Sequence, residues 1–157
     1  RDLQSESTCR DLILKLQEKR EELKASAKGK HVPLVIKIAP DLEDDAVKGL
    51  AAVFSETAID GVITTNTTIE RAAVAGHSLA DEAGGLSGGP LTEKSTEILA
   101  LLREEMNDAI PIIGSGGVMS AADARAKREA GAALVQVYTG LVYRGAALVR
   151  EAVESIG

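Results

Sequence analysis

A chain of 157 residues that is 45% hydrophobic can bury one core and is of single-domain size, but without Trp and with one Phe that core must come from Ala, Val, Leu and Ile, which bury less area than rings and so favour a partner surface. The net charge of -6, with no basic run interleaved with aromatics, argues against a nucleic-acid surface. A single cysteine, Cys9, excludes an internal disulfide and shares no zinc-ligand spacing with His31 and His77, which points to a reducing compartment; no stretch approaches the ~18 apolar residues of a membrane span, so the segment reads as soluble.

The chain opens on Arg1 with a polar "RDLQSES", which reads as a piece cut from something longer. Leu12, Ile13, Leu16 and Leu23 then form one helical stripe, with Gly29 just beyond it. The apolar run "PLVIKIAP" (33–40) predicts a strand, and Lys37 interrupts it. An ammonium in a buried strand needs an anion or an electron-rich acceptor, such as a carboxylate or a flavin N1/O2 edge; the plainer alternative is a lysine reaching out from an edge strand.

Asp41 and Asp44 stand at capping-box-like spacing before a helix whose face is Val47, Leu50, Val53 and Phe54. The second strand, "IDGVITTN" (59–66), runs into "TTNTT" (64–68). Strand C-terminal ends are where parallel α/β folds bind ligands, and Asn66 both donates and accepts, which suits a small amide-bearing heterocycle. Capping and turn chemistry would use the same residues. The connection from Asn66 to Leu91 exceeds an ordinary βα loop of ~2–6 residues and contains "GGLSGGPL"; it reads as a segment that covers or lines a site, or else as a surface excursion. His77 lies in it with no carboxylate nearby in sequence and reads as a solvated loop residue.

Ile98, Leu101, Leu102 and Met106 form the next helical face. The third strand, "IPIIGSGG" (110–117), ends in Gly114, Ser115, Gly116 and Gly117 just before a helix that Ser120 and Asp123 would start. Glycines there let an anion approach unpaired backbone N–H groups, although such a turn can also serve chain reversal alone. An Ala-rich helix ends before Gly131, and the fourth strand, "AALVQVYTG" (132–140), closes on a second small-residue turn at Thr139 and Gly140. Leu148, Val149, Ala152, Val153 and Ile156 mark the last helix.

All four strands are near-continuous and β-branched, the pattern of strands buried on both faces. Strict alternation of strand and helix forces parallel strands joined by right-handed crossovers, hence an α/β fold. Two architectures satisfy this: an open doubly wound sheet, or part of a (β/α)8 barrel, of which four strands are half. In a barrel the loops after the last two strands frequently form a phosphate pocket.

Taken together, "VIKIAPDL" (35–42), "DGVITTNTT" (60–68), "GGLSGGPL" (84–91), "IPIIGSGG" (110–117) and "GAALVQVYTGLVYRG" (131–145) resemble, in the right order, the C-terminal half of a dihydroorotate dehydrogenase, and "RDLQ" with the helix after it resembles the quinone-dependent, membrane-associated class. The resemblance implies that residues 1–157 are half of an FMN-binding (β/α)8 TIM barrel, four parallel strands alternating with helices, from an oxidoreductase of pyrimidine biosynthesis that oxidises dihydroorotate to orotate and reduces a quinone. By motif, Lys37 would contact the flavin ring, Thr65 would line the flavin site, and Gly88, Gly117, Tyr138 and Thr139 would hold FMN at its phosphate end. Asn66 and Thr67 would bind the orotate ring.

The resemblance also implies that the catalytic serine, which takes the substrate's C5 proton as hydride leaves C6, precedes Arg1, as do four strands and the quinone tunnel. The segment alone would then be inactive, needing an N-terminal half-barrel or self-association to close, while the complete enzyme would sit peripherally on a bacterial inner membrane, on its cytoplasmic face, or on a mitochondrial inner membrane. Other FMN barrel oxidoreductases and a non-catalytic, self-associating half-barrel scaffold are the competing readings. Two local departures stand out: Arg128 and Glu129 in "ARAKREAGA" (124–132), which would weaken packing of that helix, and Gly89 in "GGP" (88–90), where a basic residue is more usual.

Overall fold

The computed structural model describes residues 5–26 and 28–157; Arg1–Gln4, on which part of the "RDLQ" resemblance rests, lie outside them. Helix α1 (Glu6–Ser26) leads into strand β1 (Val35–Ile38), helix α2 (Asp44–Thr57), strand β2 (Gly61–Thr64), helix α3 (Thr92–Glu105) and strand β3 (Ile112–Ser115). Helix α4 (Ala121–Glu129), strand β4 (Leu134–Gln136), a short helix α5 (Thr139–Arg144) and helix α6 (Ala146–Ile156) complete the chain. The alternation predicted from hydrophobic patterning is therefore present, with each strand shorter than its apolar run.

The strands form one parallel sheet in the order β1-β2-β3-β4. That order decides between the two architectures. A doubly wound sheet reverses its strand order and so places helices on both faces, whereas right-handed crossovers that always step the same way leave every helix on one face, as in a barrel wall.

The core lies between that helix layer and the sheet. Val47, Leu50, Val53 and Phe54 of α2, Ile98, Leu99 and Leu102 of α3, and Ile38, Val62 and Ile112 of the strands form its centre. It is aliphatic as composition requires, with Phe54 its one ring. A smaller cluster joins Val118 to Ala124 of α4 and Ala152 of α6.

Several expectations need correction. The strands are not buried on both faces throughout: Val35 and Lys37 on β1 and Leu134 and Gln136 on β4 are exposed. In a parallel sheet, residues in register share a face, so Lys37, Ile63, Ile113 and Leu134 form a row on the side the helices do not cover. Among the described residues Lys37 is exposed, on the sheet face opposite the helices, so no partner for it is set by burial within them.

On α1 the buried residues are Cys9 and Ile13, which pack with α2, while Leu12, Leu16 and Leu23 are exposed. Asp41 does not cap α2, whose N-cap is Glu43. Instead Asp41 accepts bonds from the Thr68 hydroxyl and, at 3.1 Å, from the Ile69 amide, fastening the start of the long connection to the end of β1. Arg128 and Glu129 are exposed, with Arg128 donating to the Ala132 carbonyl at 2.7 Å; Ala124 and Lys127 are the residues that α4 buries.

Candidate functional site

Because the strands are parallel, their C-terminal ends lie together, and a solvent-open cleft forms there. Its first wall is Lys37 from β1 with Thr65, Asn66 and Thr67 after β2. The Asn66 amide donates to the Ile38 carbonyl at 2.7 Å and the Thr65 amide to the Ser115 carbonyl at 2.7 Å, so this segment bridges the ends of β1 and β3. The Thr64–Thr65 peptide is cis. Asn66 Oδ1 accepts from the Thr67 amide at 2.9 Å, which orients the side chain; its NH2 end has no hydrogen-bond partner among the described residues.

The second wall is the glycine turn after β3. Gly116 and Gly117 have φ of 101° and 72°, a region side chains disfavour. A Cβ on Gly117 would lie 2.3 Å from Thr92 Cα, so helix α3 packs against bare backbone at this point. Thr92 Oγ1 donates to the Gly117 carbonyl at 2.6 Å, and Ser95 Oγ donates to the Gly116 carbonyl at 2.9 Å. Gly117 and Val118 are both buried, yet neither amide has a hydrogen-bond partner among the described residues. Ser120 Oγ then receives the Asp123 amide at 3.2 Å and donates to Asp123 Oδ2 at 2.8 Å, the cap foreseen for α4.

Gln136, Tyr138, Thr139 and Gly140 supply the third wall. Gly140 is pressed against the Val118 carbonyl, where a Cβ would stand at 2.1 Å, and this brings the two small-residue turns together. Ser87 and Gly88 of the long connection close the cleft, with Ser87 Oγ 2.9 Å from Thr139 Oγ1.

That connection is ordered by its own bonds. Thr68 and Leu86 form an antiparallel bridge, and Arg71 donates to the carbonyls of Thr68, Glu70, Glu82 and Gly84. Lys94 of α3 reaches Glu70 at 3.2 Å and Asp41 at 3.5 Å. Burial pushes the Asp41 carboxyl up, but the Thr68 and Ile69 bonds and the Lys94 charge outweigh it and hold it below the ordinary value.

All eight residues singled out from sequence, Lys37, Thr65, Asn66, Thr67, Gly88, Gly117, Tyr138 and Thr139, line this one cleft. His77 does not; its Nδ1 accepts from the Leu79 amide in the exposed part of the connection. Sequence reasoning named Ser115 within the glycine turn but missed Ser87 and Gln136. Gln136 could have been found as the polar break in an apolar strand, as Lys37 was. Also missed was Lys127, fully buried, whose Nζ donates to Ser95 Oγ at 2.5 Å, Thr96 Oγ1 at 2.7 Å and the Thr92 carbonyl at 3.4 Å. Burial lowers its pKa to about 8, opposed by the Asp123 charge.

Among the described residues no group of His, Cys, Asp and Glu could hold a metal ion, and no helix is long and apolar enough to cross a membrane. The residues fit a phosphate-bearing cofactor: orphaned buried amides, glycines pressed on backbone, and neighbouring hydroxyls are what phosphate oxygens require.

The family model for dihydroorotate dehydrogenase matches residues 1–157. A dihydroorotate dehydrogenase (quinone) of Flavobacterium lutescens is 53% identical over 156 residues, covering 99% of this chain and 44% of the relative. That of Leptothrix cholodnii is 54% identical over 156 residues, with 99% and 45% covered. Among solved structures, the Eimeria tenella dihydroorotate dehydrogenase in complex with ferulenol superposes with a TM-score of 0.90 at 36% identity, over 99% of this chain and 44% of that one. The ligand-free form from the same organism gives 0.88 at 36% identity, over 99% and 46%. The chain thus spans somewhat under half the length of these relatives, and its one-sided helix layer is the wall of their TIM barrel. With the whole chain matched by the family model, more than half its residues shared with curated relatives and its fold superposing on solved members, this protein belongs to the flavin-dependent dihydroorotate dehydrogenase family.

Proposed function

We propose that residues 1–157 form the C-terminal half of a (β/α)8 barrel in a quinone-dependent dihydroorotate dehydrogenase, carrying the FMN phosphate site and part of the orotate site. One observation supports this most directly: the cleft at the strand ends joins two small-residue turns, orphaned amides and the Lys37/Asn66 polar wall in one place. The complete protein would oxidise dihydroorotate to orotate in pyrimidine biosynthesis and reduce a quinone, with FMN as the hydride acceptor when bound.

The roles of the chain's own residues follow from position. The Gly117 and Val118 amides, with Thr139, would receive the phosphate oxygens, while Gly88 and Tyr138 would border the cofactor by backbone. Thr65 would line its ring end, where the Lys37 ammonium would stabilise negative charge. The NH2 end of Asn66 and the Thr67 hydroxyl would hold the orotate ring, the Asn66–Thr67 bond fixing their orientation. A base to take the C5 proton would come from the N-terminal half of the protein, which would also complete the barrel against the edges of β1 and β4 and supply attachment to a membrane.

The test is anaerobic addition of dihydroorotate to the flavin-loaded full-length protein, followed by visible absorbance. Bleaching of the flavin bands, slowed in an Asn66→Ala variant, supports the reading. A full-length protein that binds no flavin, or whose flavin is untouched by dihydroorotate, rejects it.

A further inference from the structure

Lys127 is the one fully buried charged side chain among the described residues, and the cleft does not explain it. Its ammonium has no carboxylate within ion-pairing distance among them; its acceptors are two hydroxyls and a carbonyl, all in the first two turns of α3. Lysine has three donors and no acceptor, so all three of these bonds run outward from Nζ. Ser95 Oγ, accepting from Nζ, keeps its own proton to donate, with the Gly116 carbonyl at 2.9 Å nearer than the Thr92 carbonyl at 3.2 Å, and Nζ, bonded to that Thr92 carbonyl as well, leaves Ser95 the Gly116 carbonyl as its open acceptor; Thr92 places its hydroxyl on the Gly117 carbonyl at 2.6 Å. The peptide C=O and N–H point opposite ways in a trans unit. Carbonyls of Gly116 and Gly117 held toward α3 therefore turn the N–H groups of Gly117 and Val118 away from it.

We propose that Lys127 is a positioning residue for the anion-binding turn: from behind α3 it polarises Ser95 and braces Thr92, which hold the Gly116 and Gly117 carbonyls and so aim two buried amides at a phosphate. The proposal rests on the reading of this turn as the FMN phosphate site. Its lowered pKa fits such a place, since the burial that makes the ammonium costly also makes its bonds strong.

Stripped of flavin, full-length wild type, Lys127→Met and Ser95→Ala are titrated with FMN and with riboflavin, which lacks the phosphate. Wild type prefers FMN; each variant loses roughly tenfold in FMN affinity, the worth of about one well-made hydrogen bond, and keeps its riboflavin affinity within about twofold. Variants that retain the wild-type ratio, including variants in which both affinities fall together, overturn the proposal, because a merely structural lysine would not act on the phosphate alone. Should Lys127→Met fail to fold, Ser95→Ala decides by the same ratio, since it leaves the lysine and cuts the link to Gly116. A wild type with no preference for FMN removes the phosphate-site reading itself, and the proposal with it.

Discussion

Gly117→Ala is the sharpest test of how the phosphate turn is built. The added Cβ would stand 2.3 Å from Thr92 Cα and 2.4 Å from Thr92 N, backbone atoms that cannot swing aside, at a φ of 72°. Left-handed backbone costs a non-glycine residue ~1–2 kcal/mol, and forcing a methyl into packed structure costs ~1–3 kcal/mol, so a loss of about 2–5 kcal/mol is expected. Gly89→Ala is the control, because its Cβ meets nothing within 4 Å. That substitution should be neutral or stabilise by up to ~1 kcal/mol through the unfolded chain. Urea unfolding of the full-length protein measures both, and FMN titration should show affinity falling for Gly117→Ala alone. A Gly117→Ala protein within about 0.5 kcal/mol of wild type with unchanged FMN affinity would refute the packing of α3 on bare backbone.

Lys37→Ala should retain the far-UV spectrum of the full-length protein yet slow flavin reduction by dihydroorotate on the order of 10²-fold, read by stopped-flow absorbance; unchanged reduction rates would remove Lys37 from the flavin site. Since Lys127 titrates near pH 8 when folded against an ordinary 10.5, the folded state binds fewer protons between those values. Its contribution therefore makes stability rise with pH across that window, by on the order of 3 kcal/mol. Urea unfolding below pH 8 and near pH 10.5 should show this gain in wild type relative to Lys127→Met, and equal pH slopes would contradict it. Asp60 accepts from the Leu34 amide at 2.8 Å and from Arg20, with His31 at 3.1 Å; burial raises its carboxyl, but these bonds and the Arg20 charge together bring it below its ordinary 3.8. Asp60→Ala should cost about 1–3 kcal/mol by stranding the Leu34 amide, and the stabilisation Asp60 supplies above pH 3.8 should fade as pH falls through its lower folded-state value.

Much of this molecule follows from local pattern. Four β-branched runs became four strands, Ser120 and Asp123 capped α4 as their spacing required, and Val47, Leu50, Val53 and Phe54 buried one face of α2, because each depends on backbone geometry within a few residues. Part of the candidate site was legible in the same way, since parallel strands bring their C-terminal ends, and the polar and glycine residues there, into one cleft; Thr65, Gly88 and Tyr138 were singled out only through the family resemblance. Tertiary structure alone decided the rest. An apolar run shows that a strand can be buried but not which face, and only the order β1-β2-β3-β4, set by pairings far apart in sequence, put every helix on one side and Lys37 on the other. Asp41 looked like a cap until Thr68, 27 residues away, claimed its carboxylate. Nothing in the sequence singled out Lys127; it is packing that brings it within hydrogen-bonding distance of Ser95, 32 residues earlier. Periodicity records what a residue's neighbours in sequence permit; the partner of a buried charge is chosen by packing between elements, and no local pattern carries that choice.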